Sequence, residues 1–240
     1  MRVILCDNYE QISKEAAKII AAQIYLKPDS TIGFATGSTP VGAYKELVSL
    51  YENGEIDFKD MTTFNLDEYY PISRKNDQSY YYFMYDNLFG KINVSDDKVH
   101  ILNGEAKDPE KECEDYEKVI EENGGIDLQI LGIGRNGHIG FNEPDEALNM
   151  ATHITGLTDS TIEANSRFFA SKEDVPTKSL TMGIATILKS KKIIIMANGK
   201  AKHEAVANLL TNDITTSCPA TMLKVHPDVV LICDKEAYNG

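Results

Sequence analysis

The sequence predicts an α/β protein, a three-layer sandwich in which helices cover both faces of a mostly parallel, Rossmann-like sheet. Three observations carry that prediction. Short apolar runs recur along the chain, brief enough to be buried strands. Segments with apolar residues three and four apart lie between most of them, and such alternation joins parallel strands by right-handed crossovers. Several runs also end in small, polar, glycine-bearing turns, where open α/β sheets build their sites. With 240 residues and no repeats, low-complexity tracts or linker-like stretches, the chain reads as one domain over residues 1–240.

The strand-like runs are residues 2–6, 31–35, 62–66, 127–131, 192–197 and 229–234. Between them, residues 9–25 place Ile12, Ala16, Ile19, Ile20 and Ile24 on one helical face. Residues 41–51, 78–89, 109–123, 180–188 and 200–210 read as further helices; Gly183 and Ala185 would let the fifth of these pack closely inside. The segment 105–122 is charged enough to form a solvent-facing flank. His100, between Val99 and Ile101, reads as a strand-edge histidine.

A net charge of −13 argues against nucleic acid and anionic membranes as partners, since both require a basic surface. It also means that any anion site must be local, made of backbone N–H groups and a few placed cations. No apolar stretch approaches the roughly 20 residues of a membrane span. The opening MRVILCDNYEQ lacks the pattern of a signal peptide, so a cytoplasmic location is expected. Cys6, Cys113, Cys218 and Cys233 are scattered, and neither they nor His203 and His226 show ligand spacing, so reduced thiols and no metal or other cofactor are expected.

Residues 127–144, DLQILGIGRNGHIGFNEP, form the densest site candidate. An apolar run breaks into Gly132, Gly134, Gly137 and Gly140, with Arg135, Asn136, His138, Asn142 and Glu143 among and after them. Such glycine density means tight turns or close approach, and titratable side chains on a loop leaving a buried strand mark an active site. In TIGFATGSTPVGAYKEL, a strand ends in Gly37, Ser38 and Thr39, with Thr39 as the expected N-cap and Pro40 as the first helical residue. Strand, small-residue turn and helix N-terminus together make an anion site, and the absence of a lysine before Ser38-Thr39 argues against a nucleotide triphosphate. A capped turn without a ligand uses the same residues.

In MTTFNLDEYYPIS, a strand runs into Asp67 and Glu68, whose side chains alternate, so only one can face a given pocket. Residues 145–177 are polar apart from Phe168 and Phe169; beside a glycine-rich loop they suggest a mobile lid, with Arg167 delivered on closure. Lys200 follows an Asn-Gly turn and opens the next helix, where it opposes the helix dipole unless an anion binds there.

Taken together, GFATGSTP, FNLDEYY, LGIGRNGHIGFNEP, ANSRFF, TMGIATIL and NGKAK resemble the glucosamine-6-phosphate deaminase (isomerase) family, in its order and with fitting lengths between them. The resemblance implies conversion of glucosamine 6-phosphate and water to fructose 6-phosphate and ammonium, with no metal or organic cofactor. It implies Asp67 as the base moving a proton between carbons 2 and 1, and His138 as the ring-opening residue supported by Glu143. It implies Gly37, Ser38, Thr39, Arg167 and Lys200 as the cradle of the sugar phosphate. Asn136 stands where many members carry aspartate. An amide can orient the imidazole by accepting its N–H but cannot stabilise an imidazolium electrostatically, so His138 is expected to lean on Glu143 alone.

Regulated hexameric relatives carry basic residues where this chain has Thr152-His153-Ile154-Thr155, and the chain stops at Gly240. The resemblance therefore points to the short, unregulated form, monomeric or weakly associated. Two other readings remain open from the residues: a 6-phosphogluconolactonase-like hydrolase, and a non-catalytic sugar-phosphate sensor. The hydrolase has no need for an acid placed as Asp67 is, and a sensor has little use for Asp67, His138 and Glu143 together.

Overall fold

The computed structural model describes residues 1–166, 169, 171 and 174–240. The first half of the chain forms β1 (Arg2–Cys6), α1 (Tyr9–Leu26), β2 (Thr31–Phe34), α2 (Val41–Glu52), β3 (Thr62–Asn65), β4 (Asp67–Tyr70), α3 (Tyr80–Asn87), β5 (Val99–His100) and α4 (Pro109–Glu122). The second half forms β6 (Leu128–Gly132), β7 (His153–Gly156), α5 (Asp159–Ser166), β8 (Lys178–Thr181), α6 (Ile184–Leu188), β9 (Lys192–Ala197), α7 (His203–Leu210), β10 (Val229–Asp234) and α8 (Lys235–Asn239).

Seven strands make one parallel sheet in the order β1-β10-β9-β6-β2-β3-β5. Alternate residues of the central strands serve opposite faces. On one side Ile32, Phe34, Ile130 and Ile194 pack with Ile12 and Ile20 of α1 and Tyr44 and Leu47 of α2. On the other, Leu131, Ile193, Ile195 and Leu231 pack with Tyr116 and Ile120 of α4 and Val206 and Leu209 of α7. Burial on both faces is why these strands read as continuous apolar runs.

The winding order places the site. From β2 the chain moves outward through β3 to β5, then returns to β6 and runs the other way through β9 to β10. The direction reverses between the neighbours β2 and β6, and at such a reversal the loops leaving the strand C-termini splay apart and leave a crevice. The turn at Gly37–Thr39 leaves β2 and the glycine-rich loop leaves β6, so both border it.

A second, antiparallel sheet, β4-β8-β7, was not foreseen. Leu66 is the hand-over point: its N–H still donates to Phe34 of β2 (2.9 Å), while its carbonyl accepts from Met182 after β8 (2.9 Å). This sheet overturns the expected helix at 180–188. Leu180 and Thr181 belong to β8, pairing with Glu68 and Asp67, and α6 begins only at Ile184. The expected helix at 200–210 likewise divides into a 3-10 turn, Lys200–Lys202, and α7.

His100 lies on the edge strand β5 and stacks on Phe64, ring centroids 4.6 Å apart. The four cysteines are buried free thiols. Among the described residues no helix is long and apolar enough to cross a membrane.

Candidate active site

The loop after β6 is folded tightly by its own backbone. Gly134 donates its N–H to the carbonyl of His138 (2.9 Å), and a β-carbon at Gly134 would lie 2.4 Å from the imidazole, so only glycine lets the ring rest there. Gly137 has φ +83°, a left-handed conformation that glycine adopts without steric cost, and its carbonyl accepts from Ala220 (2.8 Å).

These turns bring Glu143 back beside His138. Its Oε2 lies 3.2 Å from His138 Nδ1 and accepts from Asn136 Nδ2 at 2.7 Å, while Oε1 accepts from the Thr161 hydroxyl at 2.5 Å. Burial alone would raise the Glu143 carboxyl, but the bonds from His138, Thr161 and Asn136 outweigh it and hold it at about 2. Glu143 is therefore an anion, and the ring nitrogen facing it carries the hydrogen. That tautomer leaves Nε2 of a neutral His138 with a free lone pair.

The imidazole faces Glu143, and Asn136 makes no bond to the ring. Its Oδ1 accepts the backbone N–H of His138 (3.2 Å) and its amide nitrogen donates to Glu143. An amide offers both a donor and an acceptor, so it fixes the carboxylate rather than the ring.

Asp67 and Glu68 open β4 and are both almost wholly buried. As alternation requires, they part company. Glu68 accepts the N–H groups of Tyr69, Tyr80 and Tyr81, each at 2.9 Å, and so anchors the start of α3. No donor among the described residues reaches the Asp67 carboxylate. Burial raises both groups, Asp67 to about 8 with the Glu68 charge adding to it, and Glu68 to about 7 against the pull of its three N–H donors and Arg74. An ionised Glu68 would be held by three N–H groups, whereas an ionised Asp67 would have no donor among the described residues. Asp67 pairs with Thr181 of β8, whose hydroxyl accepts the N–H of Phe141 at 3.1 Å. Through that threonine, the strand carrying Asp67 is stitched to the loop carrying His138 and Glu143.

At the β2 turn the expected cap is absent. Pro40 occupies the N-cap of α2, no side chain caps the helix, and the Thr39 hydroxyl instead donates to Asn198 Oδ1 at 3.2 Å. Proline here starts the helix one residue later than expected, freeing Thr39 to reach the turn after β9. That bond crosses over β6, the strand between β2 and β9. Gly37 (φ +91°) and Gly199 (φ +80°) give the two turns their shape, and Asp234 fixes the second by accepting the Gly199 N–H at 2.9 Å. Lys200 follows, exposed, in its 3-10 turn. Arg167 and Phe168 lie outside the described residues, while Phe169 sets its ring edge-on to Tyr69 at 5.7 Å.

Sequence reasoning missed Asn198, Asp234, Thr161 and Thr181. Each is a polar residue whose partner lies far along the chain or on the unforeseen sheet. The only local signal was Asn198 beside a glycine at a strand end.

The model of the family described as glucosamine-6-phosphate isomerases/6-phosphogluconolactonase matches residues 7–231. A protein of Clostridium botulinum (strain Loch Maree / Type A3) named glucosamine-6-phosphate deaminase is 54% identical over 239 residues, 100% of this chain and 98% of that one. One of the same name from Thermoanaerobacter pseudethanolicus is 55% identical, covering 100% of this chain and 94% of its own. A solved monomeric glucosamine-6-phosphate deaminase superposes with a TM-score of 0.96 at 45% identity, over 99% of this chain and 98% of that one. A 6-phosphogluconolactonase of Thermotoga maritima, 21% identical with a TM-score of 0.77 over 98% of this chain and 99% of its own, shares the fold alone. On the family match along most of its length and on those identities, the chain belongs to the glucosamine-6-phosphate isomerase/6-phosphogluconolactonase family.

Proposed function

We propose that the chain converts glucosamine 6-phosphate and water to fructose 6-phosphate and ammonium. The observation that carries this is a buried carboxyl, Asp67, stitched through Thr181 to a loop holding the Glu143–His138 pair. Identity of 54–55% along the whole chain to proteins named for that deamination supports it.

The chemistry follows from the groups. His138 Nε2 takes the proton of the 1-hydroxyl and returns one to the ring oxygen, opening the pyranose, while Glu143 steadies the transient imidazolium. Asp67 takes the hydrogen of carbon 2 as a proton while the aldehyde oxygen gains one from the substrate's ammonium, giving an enolamine; Asp67 then returns its proton to carbon 1, and the carbon–nitrogen bond becomes a protonated ketimine. Water adds to carbon 2, the C–N bond breaks and ammonium leaves, which makes the overall reaction an isomerisation with hydrolytic loss of nitrogen. Asp67 must be ionised to act, and the substrate's ammonium beside it would lower its pKa on binding. Each such placed group typically contributes about 10²–10⁴ in rate.

In this reading Gly37, Ser38, Thr39, Lys200 and Arg167 hold the phosphate, and that remote binding keeps the reacting carbons in register. Residues 145–177 act as a lid on a single α/β domain of residues 1–240. The contact of Thr161 with Glu143 and that of Phe169 with Tyr69 support that role. A monomeric or weakly associated protein fits the likeness to the monomeric deaminase, and a cytoplasmic location is part of the same reading.

The test is ammonium release from glucosamine 6-phosphate and from its galacto epimer, beside hydrolysis of 6-phosphogluconolactone. Release from the gluco compound without lactone hydrolysis is expected. Lactone hydrolysis without ammonium release would replace the proposal with the hydrolase.

A further inference from the structure

The first turn of α1 reaches across to the β2 turn. The Tyr9 hydroxyl donates to the carbonyl of Ser38 at 2.9 Å and accepts the N–H of Gly42 at 2.8 Å. One oxygen thus spans the start of α2, the helix that has no side-chain cap. The fit is tight: a β-carbon on Gly42 would lie 2.1 Å from Ser13 Oγ and 3.1 Å from the Tyr9 hydroxyl. Ser13 in turn donates to the Tyr9 carbonyl at 2.9 Å, so the first turn of α1 grips the first turn of α2. Tyr9, Ser38, Val41, Gly42, Lys45 and Asn198 line one open pocket of about 420 Å³, so the phenol borders the hollow that the two turns share.

Two consequences follow for an anion at this turn. The Ser38–Thr39 peptide is trans, so drawing the Ser38 carbonyl toward α1 points the Thr39 N–H the opposite way, free of Tyr9. The Gly42 N–H, by contrast, is already engaged and drops out of the set of donors. The Thr39 hydroxyl, tied to Asn198, pins the same residue from its other side.

We infer that Tyr9 is a positioning residue of the phosphate turn: its hydroxyl aims the Thr39 N–H and selects which amides of the α2 N-terminus can hold the sugar phosphate. This rests on the proposed reading of Gly37–Thr39 as part of the phosphate cradle. A merely structural tyrosine would change melting temperature and leave the response to phosphate alone.

The experiment measures KM and kcat for glucosamine 6-phosphate, the inhibition constant of inorganic phosphate, and Tm, in Tyr9→Phe, Lys200→Ala and the parent. In Tyr9→Phe, KM and the phosphate constant should rise together about three- to tenfold, the scale of one or two hydrogen bonds, with kcat within about twofold. Should Lys200→Ala raise the phosphate constant while Tyr9→Phe leaves it unchanged, Tyr9 does not position the turn. Should neither variant move it, the turn does not bind phosphate, and the inference falls with that reading. A fall in kcat at constant KM in Tyr9→Phe would also overturn it.

Discussion

Two adjacent carboxyls, Asp67 and Glu68, share burial but not partners. Glu68 is ringed by three N–H groups, and the carboxylate of Asp67 has no donor among the described residues. Folded Asp67 holds its proton to about 8, whereas an unfolded aspartate releases it near about 3.9. Across that window the folded state binds more protons, so this group makes stability fall as pH rises. Asp67→Asn should therefore gain roughly 2–4 kcal/mol relative to the parent between pH 5 and pH 8, measured by denaturant unfolding at both. An unchanged difference would show that Asp67 is ionised in the folded protein at both pH values. The same proton should appear in activity: kcat/KM, which reports the free enzyme, should rise with pH to an inflection near about 8. A profile flat from pH 6 to pH 9 would contradict that.

At the scale of elements, the small antiparallel sheet does the assembling. Thr181 of β8 pairs with Asp67 and accepts the Phe141 N–H, both in buried surroundings. Thr181→Val keeps the shape and removes the acceptor, so the orphaned N–H should cost about 1–3 kcal/mol of stability. Turnover should fall with it, because the His138 loop loses its tie to β4; full activity at reduced stability would mean the tie is structural only. This sheet was also the part of the fold that the sequence hid. The central parallel strands were legible because both their faces are buried, giving unbroken runs such as Lys192–Ala197. Strand β8 is four residues, KSLT, with only Leu180 strongly apolar, and it abuts α6 without a breaker except Gly183. Read continuously, 180–188 has helical spacing. Asp67 and Glu68 were expected at the C-terminal end of the 62–66 strand; they instead open β4, because nothing local showed that the chain changes sheets at Leu66. The loop after β6 was legible through its glycines; the role of Asn136 as donor to Glu143 was not, because an amide's partner depends on the turn it sits in.

The whole molecule carries a charge of −13 and is proposed to bind a dianionic sugar phosphate. Long-range repulsion opposes the encounter, and in the proposed reading the attraction is local, supplied by backbone amides of the β2 turn and by a few cations. Raising sodium chloride from 0.01 to 0.15 M shortens the screening length from about 30 Å to about 8 Å, so kcat/KM should rise, not fall, over that range. A steady decline would indicate a field at the crevice dominated by exposed cations. In the proposed function, the parallel sheet, its reversal point and the stitched second sheet hold one buried acid, Asp67, on a strand tied through Thr181 to the loop that carries the Glu143–His138 pair. The most direct measurement is ammonium release by Asp67→Asn at saturating glucosamine 6-phosphate. A loss of about 10²-fold or more is expected, with inhibition by inorganic phosphate retained. Turnover within a few-fold of the parent would contradict the transfer of hydrogen by Asp67.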